Sequence, residues 1–294
     1  LFYFNFFDVI KQKSLDGVEV KIVIDGFGRL WYEKISDQLM KELLSAGVEI
    51  LFFNRWFHRI HRKILIIDEK LSFLGGVNVA KKYREWLDLH ISINDEDVTK
   101  ALIKSFANSY FFSGGKDPSL LSIKENSKIR KAQLWVLDHF PFAGKFLLKK
   151  YYIEKIAMAE KSIVIVTPYF FPRPWLIKSL SIAAARGVKV DIIIPNKVDG
   201  FMITFANHVF INALHGYGIH FFMAKRMNHA KALLVDDKEG LIGSNNIDSQ
   251  SFNFNSETGL SFNRQDMIDD FKIIINEWKR EAVLFCEDNN CKKS

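Results

Sequence analysis

The chain has 294 residues, 48% apolar and 26% charged, a balance that fits a globular protein and excludes a disordered or fibrous one. Lys and Arg outnumber Asp and Glu by 41 to 34, and the resulting +7 inclines the surface toward anionic partners: phosphate esters, nucleic acid or acidic lipid. No run approaches the about 18 consecutive apolar residues of a transmembrane helix, and two cysteines, Cys286 and Cys291, build neither a disulfide framework nor a zinc site, a usage that suits a reducing compartment.

In chain order, the opening "LFYFNFF" is too short to span a bilayer and lacks the flanks of a signal peptide. Starting at Leu1, it suggests that the natural N-terminus lies upstream. "DGVEVKIVIDGFG" at 16–28 predicts a β-branched strand running into a turn, and "LMKELLSAGVEILFF" a helix followed by a short strand. Residues 114–132 are polar, with "SGGKDPS" and "KENSKIRK", and read as an exposed linker between lobes near 1–115 and 130–294. "HFPFAGKFLLKKYY" at 139–152 mixes aromatics and lysines in a way suited to an anionic headgroup boundary, or equally to a core strand and helix with solvated lysines. A helix and a strand follow in 151–171. Then "RGVKVDIIIPNKVDG" at 186–200 and "VFINALHGYGIHFF" repeat the strand, helix, strand order of the first lobe. "QDMIDDFKIIINEWKREAVLF" has helical apolar spacing and closes the chain. The expected fold is α/β: two similar lobes with mixed β-sheets flanked by helices, related by a pseudo-twofold axis.

The strongest signal is a duplication. "HRKILIIDEKLSFLGGVN" at 61–78 and "HAKALLVDDKEGLIGSNN" at 229–246 share His, Lys, Asp, Gly and Asn at one spacing. On a strand, side chains alternate faces, so His61 and Lys63 share one side and Asp68 takes the other; His229, Lys231 and Asp236 behave alike. Both aspartates are therefore expected to support backbone or a cation behind the strand rather than the ligand. A duplicated strand kept only for folding would not need imidazole and ammonium together on one face in both copies. If the copies meet at the dyad, the site suits phosphoryl transfer. Lys63, Lys231, Asn78 and Asn246 would hold the non-bridging oxygens. One histidine would attack phosphorus and the other would shuttle the proton. The lysines would supply the positive charge that Mg²⁺ brings elsewhere, so no metal or cofactor is expected. Asp88 and Glu257, placed almost equivalently after the two motifs, are candidates to orient the imidazoles.

The two H-x-K-x4-D motifs with downstream Gly and Asn resemble the signature of the phospholipase D superfamily, and longer blocks, such as "TPYFFPRPWLIKSLSIAAARGVKVDIIIP", are similar to bacterial cardiolipin synthases. The resemblance implies that His61 and His229 form the nucleophile and acid pair, with His61 favoured as nucleophile. It also implies transfer between two phosphatidylglycerol molecules through a phosphohistidine, at the cytoplasmic membrane of a bacterium. Its partners would be a phospholipid and an anionic membrane surface, with nucleic acid ranked below them. Hydrolysis of phospholipid or nucleic acid by the same mechanism is the alternative. A non-catalytic phosphate-binding module stands third, against two intact motifs.

Overall fold

The structure, a computed structural model, describes residues 6–27, 36–55, 57–121 and 133–286. In the first lobe, helix α1 (Phe6–Leu15) leads to β1 (Lys21–Asp25), helix α2 (Asp37–Ser45) and β2 (Glu49–Phe53). β1 and β2 pair in parallel, Lys21 opposite Glu49. The Ser36 hydroxyl accepts from the Leu39 amide at 3.1 Å and so satisfies one orphan donor at the start of α2. β3 (Arg59–Ile60) precedes an antiparallel sheet of β4 (Ile64–Ile67), β5 (Leu71–Gly75) and β6 (His90–Ile93), and α3 (Glu96–Phe112), capped by Asp95, closes the lobe.

The second lobe supplies β7 (Leu134–His139), α4 (Leu147–Met158), β8 (Ser162–Val166), α5 (Pro174–Ala185), β9 (Lys189–Pro195), α6 (Phe201–Leu214) and β10 (Ile219–Ala224). Then come β11 (Ala232–Val235), β12 (Glu239–Gly243), a short α7 (Ser249–Asn253), β13 (Asn255–Phe262), α8 (Gln265–Glu281) and β14 (Val283–Leu284). The sheet runs β14-β10-β9-β8-β11-β12-β13, with β7 and β3 both on β13. β8, β9 and β10 are parallel and the pairs from β8 to β13 antiparallel, so the sheet is mixed as expected. β9 is buried from Val190 onward on both faces, which is why "VDIII" carries hydrophobic residues without clean alternation.

Alternation along β11 divides the two cores. Leu233 and Val235 face α4, α5 and α6, whereas Ala232 and Leu234 face the other side. That second core mixes Leu74, Leu89, Val98 and Leu102 of the first lobe with Ile242, Leu260, Phe262, Ile268 and Phe271 of the second. The lobes thus share one hydrophobic interior. Most of the segment expected at a linker, 122–132, lies outside the described residues. Within 139–152, Phe140, Leu148, Tyr151 and Tyr152 are buried, whereas Phe142, Phe146 and Lys150 are exposed and Lys145 pairs with Asp138 at 3.6 Å, so the stretch divides between core and surface. Cys286 is disulfide-bonded.

One asymmetry matters for the site. β8 fills the place between β9 and β11 in the second lobe. Among the described residues no strand lies between β1 and β4 in the first, so β1-β2 and β4-β5-β6 are separate sheets.

Candidate active site

Both motifs form hairpins with the same turn. Asp68 and Glu69 have φ of 52° and 55°, Asp236 and Asp237 of 53° and 54°, the two successive left-handed positions of a type I′ turn, which Asp tolerates better than most residues. Strand pairing starts one residue after each lysine, at Ile64 and Ala232, so His and Lys occupy an extended lead-in rather than the strand expected from the sequence. Gly75 and Gly243 end the return strands. A Cβ at Gly75 would come within 2.2 Å of the Leu89 carbonyl, and one at Gly243 within 2.8 Å of the Thr258 carbonyl, so only glycine lets β6 and β13 approach.

The registers place Gly75 opposite His90 and Gly243 opposite Gly259. Two residues before those partners stand Asp88 and Glu257, which are therefore structural equivalents. Each serves the other lobe. His61 Nδ1 lies 3.1 and 3.0 Å from the two oxygens of Glu257, and His229 Nδ1 lies 2.8 Å from Asp88 Oδ2. The backbone repeats the exchange: the His61 amide donates to the Ser256 carbonyl at 2.9 Å and the His229 amide to the Leu87 carbonyl at 2.6 Å. An ionised carboxylate can only accept, so each Nδ1 carries the proton and each Nε2 keeps its lone pair.

The lysines sit against the same groups. Lys63 Nζ donates to the His61 carbonyl at 2.7 Å. Lys231 Nζ donates to the His229 carbonyl and lies 2.7 and 2.9 Å from the two ring nitrogens; with Nδ1–H committed to Asp88, Nε2 is its acceptor. Burial pushes Lys63 down to about 8, against the pull of Glu257, Asp88 and Asp25, and holds Lys231 well below the usual ammonium range. Burial, then Lys231, lowers His229 to about 4, while Asp88 opposes both. Glu257 is buried yet pushed down to about 2, because burial is outweighed by His61, Lys63 and Ser244. Charge from each lobe is felt in the other: Lys63 acts on His229 and Lys231, and Glu257 on Lys63 and Lys231.

The remaining sequence-derived residues divide. Asp236 accepts from the amides of Glu160, Lys161 and Ser162 at 2.7 to 3.2 Å and so clamps the start of β8, away from the imidazoles. Asp68 is exposed and makes no comparable set of amide bonds among the described residues. Asn246 is buried, its amide oxygen has no partner among the described residues, and its backbone N–H donates to Ser251 Oγ, itself bonded to Glu257 at 2.8 Å. Asn78 is half-buried, and no hydrogen bond among the described residues ties its side chain to the cluster.

Several participants were invisible in the motif spacing. Ser244, Ser251 and Asn255 all donate to Glu257. Ser244 takes the place that Gly76 holds in the first copy, where a Cβ would fall 2.1 Å from Asp88. The "GG" and "GS" after the two motifs carried that signal. Arg62, between His61 and Lys63, ion-pairs with Asp138 at 2.7 Å and donates to the Ser105 carbonyl at 2.6 Å, locking the first motif to α3 and β7. Tyr83, Trp86 and Tyr169 wall His229, their ring centroids 6.4, 5.3 and 6.3 Å from the imidazole.

Two α/β lobes exchanging carboxylates across a dyad, each carrying an H-x-K-x4-D hairpin, define a protein of the phospholipase D fold. Among solved structures, phosphatidylserine synthase of Haemophilus influenzae superposes with a TM-score of 0.74 over 95% of this chain and 78% of that one, at 15% identity. Polyphosphate kinase of Porphyromonas gingivalis gives 0.65 over 98% and 44%, at 12% identity; these two likenesses speak to the fold alone. The family model described as "Cardiolipin synthase, PLD-like domain" matches residues 1–110 and 152–278, and the chain belongs to that family. It is 29% identical to the cardiolipin synthase of Halalkalibacterium halodurans over 275 residues, 85% of this chain and 53% of the relative. To cardiolipin synthase 2 of Bacillus anthracis it is 30% identical over 294 residues, 92% and 56%. The chain thus spans about half the length of the curated relatives it matches.

Proposed function

We propose that this chain carries the catalytic machinery of a phosphatidyltransferase that makes cardiolipin from two phosphatidylglycerol molecules at a bacterial membrane, with lobes 1–115 and 130–294 each contributing one motif. The observation that carries the reading is the crossed pairing of His61 with Glu257 and His229 with Asp88, which ties both imidazoles to one dyad.

His61 Nε2 attacks phosphorus, a N–P bond forms, and the bond to the glycerol headgroup oxygen breaks. His229 Nε2 delivers a proton to the departing glycerol alkoxide. The hydroxyl of a second phosphatidylglycerol then gives its proton to His229 and attacks phosphorus, the N–P bond breaks, and cardiolipin leaves. Glu257, held ionised by four donors, supports the charge on His61 throughout. His229 is a weak base in the empty site; a bound diester anion neutralises Lys63 and Lys231 and restores its proton affinity. Asn246 and Asn78 complete the oxygen contacts by donating from their side-chain Nδ2 groups. Asp68 and Asp236 act on the hairpins, not on phosphate.

The test is incubation with radiolabelled phosphatidylglycerol vesicles. Cardiolipin and free glycerol are expected in equal amounts, and label trapped by a rapid non-acidic denaturing quench, which spares the acid-labile N–P bond, maps to His61. Phosphatidic acid with glycerol would assign hydrolysis instead, label on His229 would exchange the two roles, and no turnover by the folded protein would sink the reading.

A further inference from the structure

One face of a helix in the second lobe carries large apolar side chains into solvent. α6 (Phe201–Leu214) has no Lys, Arg, Asp or Glu in its 14 positions. Phe201, Met202, Phe205 and Val209 are 83%, 73%, 59% and 49% exposed. At about 100° per residue these four fall within a single arc of the helix, opposite the buried Asn207, Ile211 and Leu214. So much contiguous apolar side chain facing water marks a contact surface.

Its position is fixed relative to the site. Asn207 Oδ1 accepts from the Phe170 amide at 2.9 Å, and its Nδ2 donates to the Pro168 carbonyl at 3.2 Å. Between them, Tyr169 donates from its hydroxyl to Asp199 at 2.9 Å while its ring stands against His229. The exposed stripe is therefore bolted to a wall of the candidate active site. Cations border it. The Asn196 amide donates to the Ala224 carbonyl at 2.9 Å, which sets exposed Lys197 beside exposed Lys225 and Arg226. Arg226 also donates to the Glu85 carbonyl at 3.3 Å. The acidic groups nearby are engaged, Asp199 by Tyr169 and Glu85 by Arg84 at 3.5 Å.

We propose that α6 seats this chain on an anionic bilayer, with Phe201, Met202 and Phe205 entering the headgroup boundary and Lys197, Lys225 and Arg226 meeting lipid phosphates. An apolar stripe rimmed by cations fits that surface. A second copy of the chain would instead bring the same cationic rim, and the same +7, against itself. The choice of lipid rests on the phosphatidyl-transfer reading, because a site that works on membrane lipid needs its mouth at the interface. The stripe itself does not rest on it.

The experiment compares wild type with F201S/M202S/F205S, all three at exposed positions, and with K197E/K225E/R226E, in flotation with phosphatidylglycerol-containing and pure phosphatidylcholine vesicles. Wild type is expected to float with the anionic vesicles, and each triple variant to bind them at least about tenfold less at an unchanged melting temperature. Turnover of vesicle phosphatidylglycerol should fall in parallel, while turnover of a monomeric short-chain phosphatidylglycerol stays at the wild-type level. Vesicle binding untouched by both variants overturns the proposal, and so does a wild-type dimer that the serine variant disperses without loss of flotation. If flotation is lost as expected but no form converts either substrate, the anchor stands and the transferase reading falls. A serine variant that melts early leaves the charge-reversal variant, and the salt dependence of wild-type flotation, to decide.

Discussion

The two copies of the motif carry the same chemistry in different frames. His229 has 5% of its side chain exposed, His61 27%. β11 is sandwiched between β8 and β12, with Leu233 and Val235 at 1% and 6% exposure, whereas β4, among the described residues, pairs on one side only and leaves Leu65 and Ile67 at 38% and 42%. Their carboxylates differ in the same sense. Glu257 takes three protein donors besides His61, while Asp88 takes the Leu89 amide besides His229. A twofold relation in sequence therefore need not give two equal histidines. One is half-buried and backed by a saturated, ionised carboxylate, and the other is buried and pressed by a lysine.

The largest expected effect tests whether this difference separates roles. His61→Ala and His229→Ala should each lower kcat by at least about 10³-fold, because groups that act as a unit fail together. Single-turnover mixing distinguishes them: H229A is expected to accumulate label on His61 when the donor carries a good leaving group, and H61A to accumulate none. Equal labelling in both would dissolve the assignment.

Next come the exchanged carboxylates. Asp88→Asn should lower kcat about 10²- to 10⁴-fold with a small change in stability, since it replaces an acceptor-only carboxylate by an amide whose NH₂ can donate to Nδ1 and reverse the His229 tautomer. Glu257→Gln should cost activity on the same scale and stability as well, because a neutral amide deep in the core cannot satisfy four donors that had a carboxylate. Arg62→Met sharpens the contrast from the other side. The second motif has Ala230 at that place, so only the first should lose its anchor; half-buried Asp138 keeps Ser105, Asn108 and Lys145, and the cost should be about 1–3 kcal/mol in chemical denaturation.

How much of this was legible in the sequence follows from what each feature depends on. Strand and helix order could be read because β9 and α8 carry continuous or periodic apolar residues whose burial is dictated locally. Asp88 and Glu257 could be picked out by equivalence after the motifs. Their crossing between lobes could not, since it arises from the pairings of Ser256 with His61 and Leu87 with His229, long-range contacts with no local signature. Nor does the sequence show that Arg62, between the motif His and Lys, commits its guanidinium to Asp138 and the Ser105 carbonyl, two partners far along the chain. For 139–152 the sequence left a headgroup-facing and a core reading equally open, because which aromatics meet the core, Phe140 rather than Phe142 or Phe146, is set by tertiary packing. In α6 the helix was expected, but which of its faces lacks a partner is a tertiary fact.

Acid should weaken the fold in two stages that belong to the two frames. His229 is lowered to about 4 from 6.5, so the unfolded chain takes its proton first and stability falls as pH drops through that window. His139, also buried and lowered to about 4, adds to the same stage. Glu257 is lowered to about 2 from 4.5, so its contribution is complete above pH 4.5 and is lost as pH falls toward 2. Urea titrations from pH 7.5 downward should show H229N shallower than wild type only in the upper stage. A stability that rises between pH 6.5 and 4 would contradict the burial assigned to both histidines.

The smallest effect concerns the paired aspartates, identical in sequence role and turn geometry. Asp236 gathers three amides at the head of β8, so Asp236→Ala should cost about 1–3 kcal/mol by leaving those donors short of an acceptor. Asp68 stands exposed on the open side of β4, where the first lobe has no described strand to clamp, and Asp68→Ala should cost only what its left-handed turn position asks of alanine, up to about 1 kcal/mol. Neither change should alter kcat by more than a few-fold in protein that remains folded, because neither carboxylate bonds to an imidazole or a lysine of the cluster. A D68A variant that loses as much stability as D236A would mean that the first hairpin is clamped after all, by a partner beyond the described residues, and that the two frames are more alike than their exposed and buried strands suggest.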